Sequence, residues 1–65
     1  MCLSRAYFVE STGERLLAES ICGMVQDERG ITLYDIIGRQ ITVKGMLKAV
    51  DLLENKVLIE PEKGE

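Results

Sequence analysis

From Glu28 onward, turn-forming residues recur every few positions and cut the chain into runs too short for anything but β-strands. Glu28-Arg29-Gly30 reads as a tight turn, with Gly30 free to take a positive φ. Residues 31–35 then alternate, placing Ile31 and Leu33 on one face and Thr32 and Tyr34 on the other. Gly38 allows a bend, and residues 41–44 alternate again with Ile41 and Val43 inward. Gly45 punctuates, residues 46–52 form another strand, Glu54-Asn55 the next turn, and residues 56–60 the last strand. Pro61 lacks an N–H and stops the pairing there, leaving a polar tail at 61–65 that frays.

The first half is less regular. Residues 3–10 read as a strand that is apolar on both faces, Leu3, Tyr7 and Val9 on one and Ala6 and Phe8 on the other. Such a strand belongs in the middle of a barrel or at a subunit contact. Ser11-Thr12-Gly13-Glu14 supplies a turn. In residues 14–28, Leu17, Ile21, Met24 and Val25 recur at helical spacing, and Ser11 with Glu14 mimics a capping box. Gly23 in the middle and the β character of the neighbours weigh the other way. The segment is therefore expected as two short strands, 15–19 and 21–28, broken around Ser20. The fold class is all-β: a small barrel-like meander of about six or seven short antiparallel strands, one domain over residues 1–60.

Size makes this scaffold marginal. A chain of 65 residues buries only about 60% of the surface it exposes when unfolded, so a metal or a partner subunit is the expected support. Two cysteines do not make a disulfide framework. The net charge is −3, and the eight basic residues are scattered singly, which argues against nucleic acid. No apolar run reaches the length of about 20 residues that a membrane span needs, so a cytoplasmic setting with reduced thiols is expected. Histidine is absent, which removes the commonest metal ligand and the commonest general base together.

Cys2 sits directly behind Met1. Removal of the methionine would leave a thiol and an α-amine on neighbouring carbons, able to chelate one metal ion. Both groups must lose a proton to bind, and a metal would lower both pKa values from about 8.5 and about 8. The plain alternative is an incidental cysteine. Mixed nitrogen and sulfur donors suit Ni(II) and Cu(II), while thiolate alone also suits zinc and iron. One chain offers too few ligands, and a twofold dimer with two Cys2 termini at its axis supplies the rest. Cys22, between Ile21 and Gly23, is expected to be a small buried hydrophobe, since its spacing from Cys2 matches no zinc motif. The carboxylates fall mostly at turns and strand edges, where a solvated face is the plain reading. An N-terminal-nucleophile enzyme built on Cys2 has little room for a substrate pocket in so short a chain, so no enzyme is expected.

The opening Met1-Cys2-Leu3-Ser4, the stretch Ile31-Thr32-Leu33-Tyr34-Asp35-Ile36-Ile37-Gly38, the tripeptide Val43-Lys44-Gly45 and the run 50–60 resemble, in that order, the CooT proteins, small accessory factors for nickel insertion into carbon monoxide dehydrogenase. The resemblance spans nearly the whole chain. It implies a small all-β homodimer that binds Ni(II) through Cys2, with its two N-termini close together and a nickel enzyme as client. Cys2 is the one ligand carried over. Related sequences have also been labelled RNA-binding, which the charge distribution does not support. The opening is similar to that of the HypC hydrogenase-maturation chaperones too, but those carry a proline soon after the cysteine, where Ala6 stands here, and run longer. The alternative function is a metal-free module that binds protein or RNA.

Overall fold

The computed structural model describes residues 3–62, and these form six β-strands: β1 Ser4–Glu10, β2 Gly13–Asp27, β3 Gly30–Asp35, β4 Gln40–Val43, β5 Gly45–Asp51 and β6 Lys56–Pro61. They make one sheet in the order β4-β3-β2-β1-β6-β5, curled into a half-barrel. The all-β expectation is met, with six strands. One pair departs from a simple meander: β1 and β6 run parallel, from Arg5 beside Lys56 to Phe8 beside Ile59.

The curl originates in β2, which is one continuous strand of 15 residues rather than the two expected. Its first part pairs with β1, from Gly13 to Ile21, and its last part with β3, from Ile21 to Asp27. Only Ile21 serves both neighbours. Between Ser4 and Ala6, β1 advances two residues while β2 advances three, from Ile21 to Ala18; between Ala6 and Tyr7 it advances one while β2 advances two. On the other side, Ile21 and Gly23 face Asp35 and Tyr34, so Cys22 is an extra residue in the ladder. Ser20 takes φ 58, a left-handed conformation that costs a residue with a side chain. Each bulge bends the strand and adds twist. The irregularity expected at Ser20 is real, but bulges absorb it without breaking the pairing.

Alternation sets the core. Ile31, Leu33 and Ile59 are fully buried, with Ala6, Ile21 and Val57 beside them, and Phe8, Leu17, Ala18, Met24 and Val43 pack against this cluster. Phe8 and Ala6 thus turn one face of β1 inward, as a strand central to the sheet must.

At the opposite end from the start of β1, the chain turns a sharp corner. Val43 ends β4, Lys44 alone intervenes, and Gly45 begins β5, so Gly45 opens a strand where a break was expected. A Cβ at Gly30 would strike the Val43 carbonyl, and one at Gly45 would come within 2.6 Å of the Glu60 carbonyl oxygen. Both glycines are required by backbone crossing close to backbone. Pro61 is paired with Gly45, and the Glu62 N–H donates to the Lys44 carbonyl at 3.1 Å, so ordered chain continues past the expected start of the tail at Pro61.

Candidate metal centre

Cys2, the expected ligand, lies outside the described residues. Its covalent neighbour Leu3 is half-exposed, and Ser4 enters the sheet opposite Ile21. The first residue of β1 is therefore fixed to the bulged middle of β2. The Arg5 N–H donates to the Asn55 carbonyl at 2.9 Å, which binds the β5–β6 loop to the same place. The Ile36 N–H donates to the Ser20 carbonyl at 3.2 Å, which brings in the β3–β4 loop.

An aspartate organises each loop. Asp35 Oδ1 accepts the N–H groups of Ile37 at 3.1 Å and Arg39 at 2.9 Å, and its Oδ2 accepts Arg39 Nε at 2.8 Å. Burial pushes the Asp35 carboxyl up, but the Arg39 hydrogen bonds and charge, with the Ile37 N–H, hold it below its ordinary value. Asp51 Oδ1 accepts the N–H groups of Leu53 at 3.1 Å and Glu54 at 3.0 Å. Residue 52 accordingly belongs to a turn and not to the strand expected over 46–52.

Cys22 is exposed, contrary to the expected buried position. The physical cause is the bulge: an extra residue in the ladder is released from the in-out alternation that would have put it inside. It lies one residue from Ile21 and thus close to the start of β1. Among the described residues, no group of three or more His, Cys, Asp or Glu side chains is gathered to hold a metal. Two of the described acids near this end, Asp35 and Asp51, are occupied with backbone N–H groups. Elsewhere Glu10 pairs with Arg15 at 2.9 Å, Asp27 with Arg29 at 3.3 Å and Glu14 with Lys56 at 3.0 Å. The Arg15 hydrogen bond lowers the Glu10 pKa, and the Arg29 backbone and side-chain bonds lower that of Asp27. These carboxylates are bound to cations or backbone, as surface structure is.

A cleft of about 630 Å³ opens at the Lys44 corner, between the β2–β3 turn and the end of β6, with Asp27, Glu28, Lys44 and Glu60 on its walls. It is at the opposite pole from the start of β1. A different feature, the exposure of Ile36, Ile37, Leu52 and Leu53 around the start of β1, was not expected from the sequence. Its signal was two apolar pairs, each following an aspartate at a turn, in Asp35-Ile36-Ile37-Gly38 and Asp51-Leu52-Leu53-Glu54-Asn55.

Comparison with known proteins gives a consistent result. The family profile described as "CO dehydrogenase accessory protein CooT" matches residues 1–60. The crystal structure of a candidate CooT from Carboxydothermus hydrogenoformans superposes with a TM-score of 0.87 at 27% sequence identity, covering 95% of this chain and 100% of that one. Among curated proteins, none matches.

Proposed function

The chain belongs to the CooT family of CO dehydrogenase accessory proteins, and on that premise we propose that it holds Ni(II) through Cys2, as a homodimer, for delivery to a nickel enzyme of the carbon monoxide dehydrogenase type. Nickel is cargo in this reading, and the protein carries it without catalysing a reaction. The thiolate of Cys2, joined by the α-amine once Met1 is removed, is the donor group, and a second copy doubles the donor count. A cytoplasmic setting, where thiols stay reduced, is part of the same reading. No helix among the described residues is long and apolar enough to cross a membrane.

One observation supports the proposal: the start of β1, two residues after Cys2 in the sequence, lies at one end of the half-barrel, between two aspartate-organised loops. The Cys2 thiol must deprotonate to bind, so affinity falls below neutral pH. Titration with Ni(II) should produce thiolate-to-nickel charge-transfer absorption that is lost in Cys2→Ser. Full nickel binding by Cys2→Ser would refute the proposal. The runner-up, a metal-free interaction module, is favoured by the exposed apolar loops, and it predicts client binding that is indifferent to Cys2→Ser.

A further inference from the structure

The sheet ends on β4 and β5, and an edge strand leaves a row of N–H and C=O groups with no strand to bond. Which groups these are on β5 follows from its neighbour. The Arg5 N–H bonds the Asn55 carbonyl, so Asn55, Val57 and Ile59 of this segment serve β1. Successive residues of a strand aim their backbone groups to alternate sides. Lys56, Leu58 and Glu60 therefore serve β5, where they face Asp51, Ala49 and Met46. The Glu62 N–H, bonded to the Lys44 carbonyl at 3.1 Å, continues the series. Gly45, Leu47 and Val50 fall between these positions and aim their backbone groups away from β6, at the open edge. Pro61, which has no N–H to give, stands opposite Gly45.

The side chains along that row are largely apolar. Leu47 and Val50 pair with the buried Ile59 and Val57, yet they are 41% and 45% exposed, because no strand follows β5. Met46, on the other face, is 66% exposed. The other edge is a poorer platform. β4 has four residues, and the bond from the Asp35 N–H to the Arg39 carbonyl sets a register in which only Gln40 and Thr42, both polar, aim outward. The cleft at the Lys44 corner borders Gly45 and Met46, so there is room for chain where the β5 row begins.

We propose that β5 accepts an extended segment of another protein as an added strand, with an acidic residue of that segment beside Lys48. An extended backbone is what matches alternating donors and acceptors in a row. Apolar residues on one face of the incoming strand lie against Leu47 and Val50 and continue the inner face of the sheet. Charge selects the occupant. Lys48 is exposed at the middle of β5, in the bulge between Leu47 and Ala49, and Lys44 precedes the strand. Among the described residues neither lysine pairs with a carboxylate. Two copies joined antiparallel through β5 about a twofold axis set Lys48 against Lys48, and like charges directly opposite are destabilising. The lysine guards this edge against the protein's own copy and leaves it open to an acidic strand. The contact involves neither Cys2 nor a metal, so it goes beyond the proposed function.

The test uses the metal-free full chain and a blocked peptide as long as β5, alternating valine and threonine around a central aspartate. A peptide with a central lysine is its counterpart. In amide exchange followed by NMR, the Gly45, Leu47 and Val50 amides should exchange rapidly in the free protein and slow about tenfold with the aspartate peptide at millimolar concentration. The Gln40 and Thr42 amides should not change. The lysine peptide should bind about fivefold more weakly, and Lys48→Glu, a change at an exposed position, should reverse that preference. Protection of Gly45, Leu47 and Val50 in the free protein, rising with its concentration, would overturn the proposal in favour of a second copy. Slowing at Gln40 and Thr42 instead, no slowing at all, or an unchanged preference in Lys48→Glu would overturn it as well. Cys2→Ser should leave each of these results as it was, so the peptide experiment and the nickel titration fail independently.

Discussion

Truncating Ile59 measures how thin the core is. Ile59 is fully buried on β6, opposite Phe8 on one side and Leu47 on the other. Ile59→Val removes one methylene and should cost about 1 kcal/mol, whereas Ile59→Ala should cost roughly 2–5 kcal/mol because neighbours cannot collapse into the space. A single core in a chain this short rarely supplies more than about 3–5 kcal/mol. The alanine change therefore consumes most or all of the folding free energy of one copy, and the valine change does not. Urea unfolding followed by far-UV circular dichroism reads the difference. With a slope near 1 kcal/mol per molar, Ile59→Val should lower the midpoint by about 1 M, and Ile59→Ala should leave no folded baseline at low concentration. Val25, half-exposed on the outer face, is the control: Val25→Ala should stay within about 0.5 kcal/mol of the native protein. If the two alanine variants unfold at the same midpoint, the placement of the core on that face of β6 is wrong. Raising protein concentration should move every midpoint upward if copies associate, without closing the gap between variants.

Two further outcomes follow from the geometry around the chain start. The Asp35 carboxyl is held below its ordinary value when folded, so its contribution is present above the unfolded pKa of about 3.9 and is lost as pH falls through the lower folded value; Asp35→Asn should remove that acid-dependent step from the exchange protection of residues 36–39, and an unchanged step would refute the assignment. Cys22 should react in the native state with a disulfide reagent in Cys2→Ser protein, at a rate close to that of the unfolded chain, and a native thiol that reacts only on unfolding would show that the bulge does not expose it.

Period-two alternation was legible wherever a strand met one regular neighbour on each side. Ile31 and Leu33, or Val57 and Ile59, point inward as the pattern requires. The pattern failed in β2, because three register shifts scramble the alternation along it. A bulged strand and an amphipathic helix both space apolar residues at three and four, which is why Leu17, Ile21 and Met24 mimicked a helix. Cys22 was misplaced for the same reason. The parallel pairing of β1 with β6 was out of reach too, since it depends on contacts between chain ends that no local pattern encodes. Of the candidate metal centre, Cys2 is a reading of the sequence and lies outside the described residues; the two aspartate-organised loops near the start of β1 had no counterpart in that reading. Ile36, Ile37, Leu52 and Leu53 look like strand or core residues until Asp35 and Asp51 are seen closing the turns behind them.

The proposed function ties metal binding to association. If a cation is held by donors from two copies, it binds the associated state and not the separated one, so it must tighten association by mass action. Reciprocally, association would then gather the donors before the metal arrives, and the same free energy would appear as tighter metal binding. In that reading a client surface that displaced one copy would remove half the donors in the same step, with no separate trigger needed.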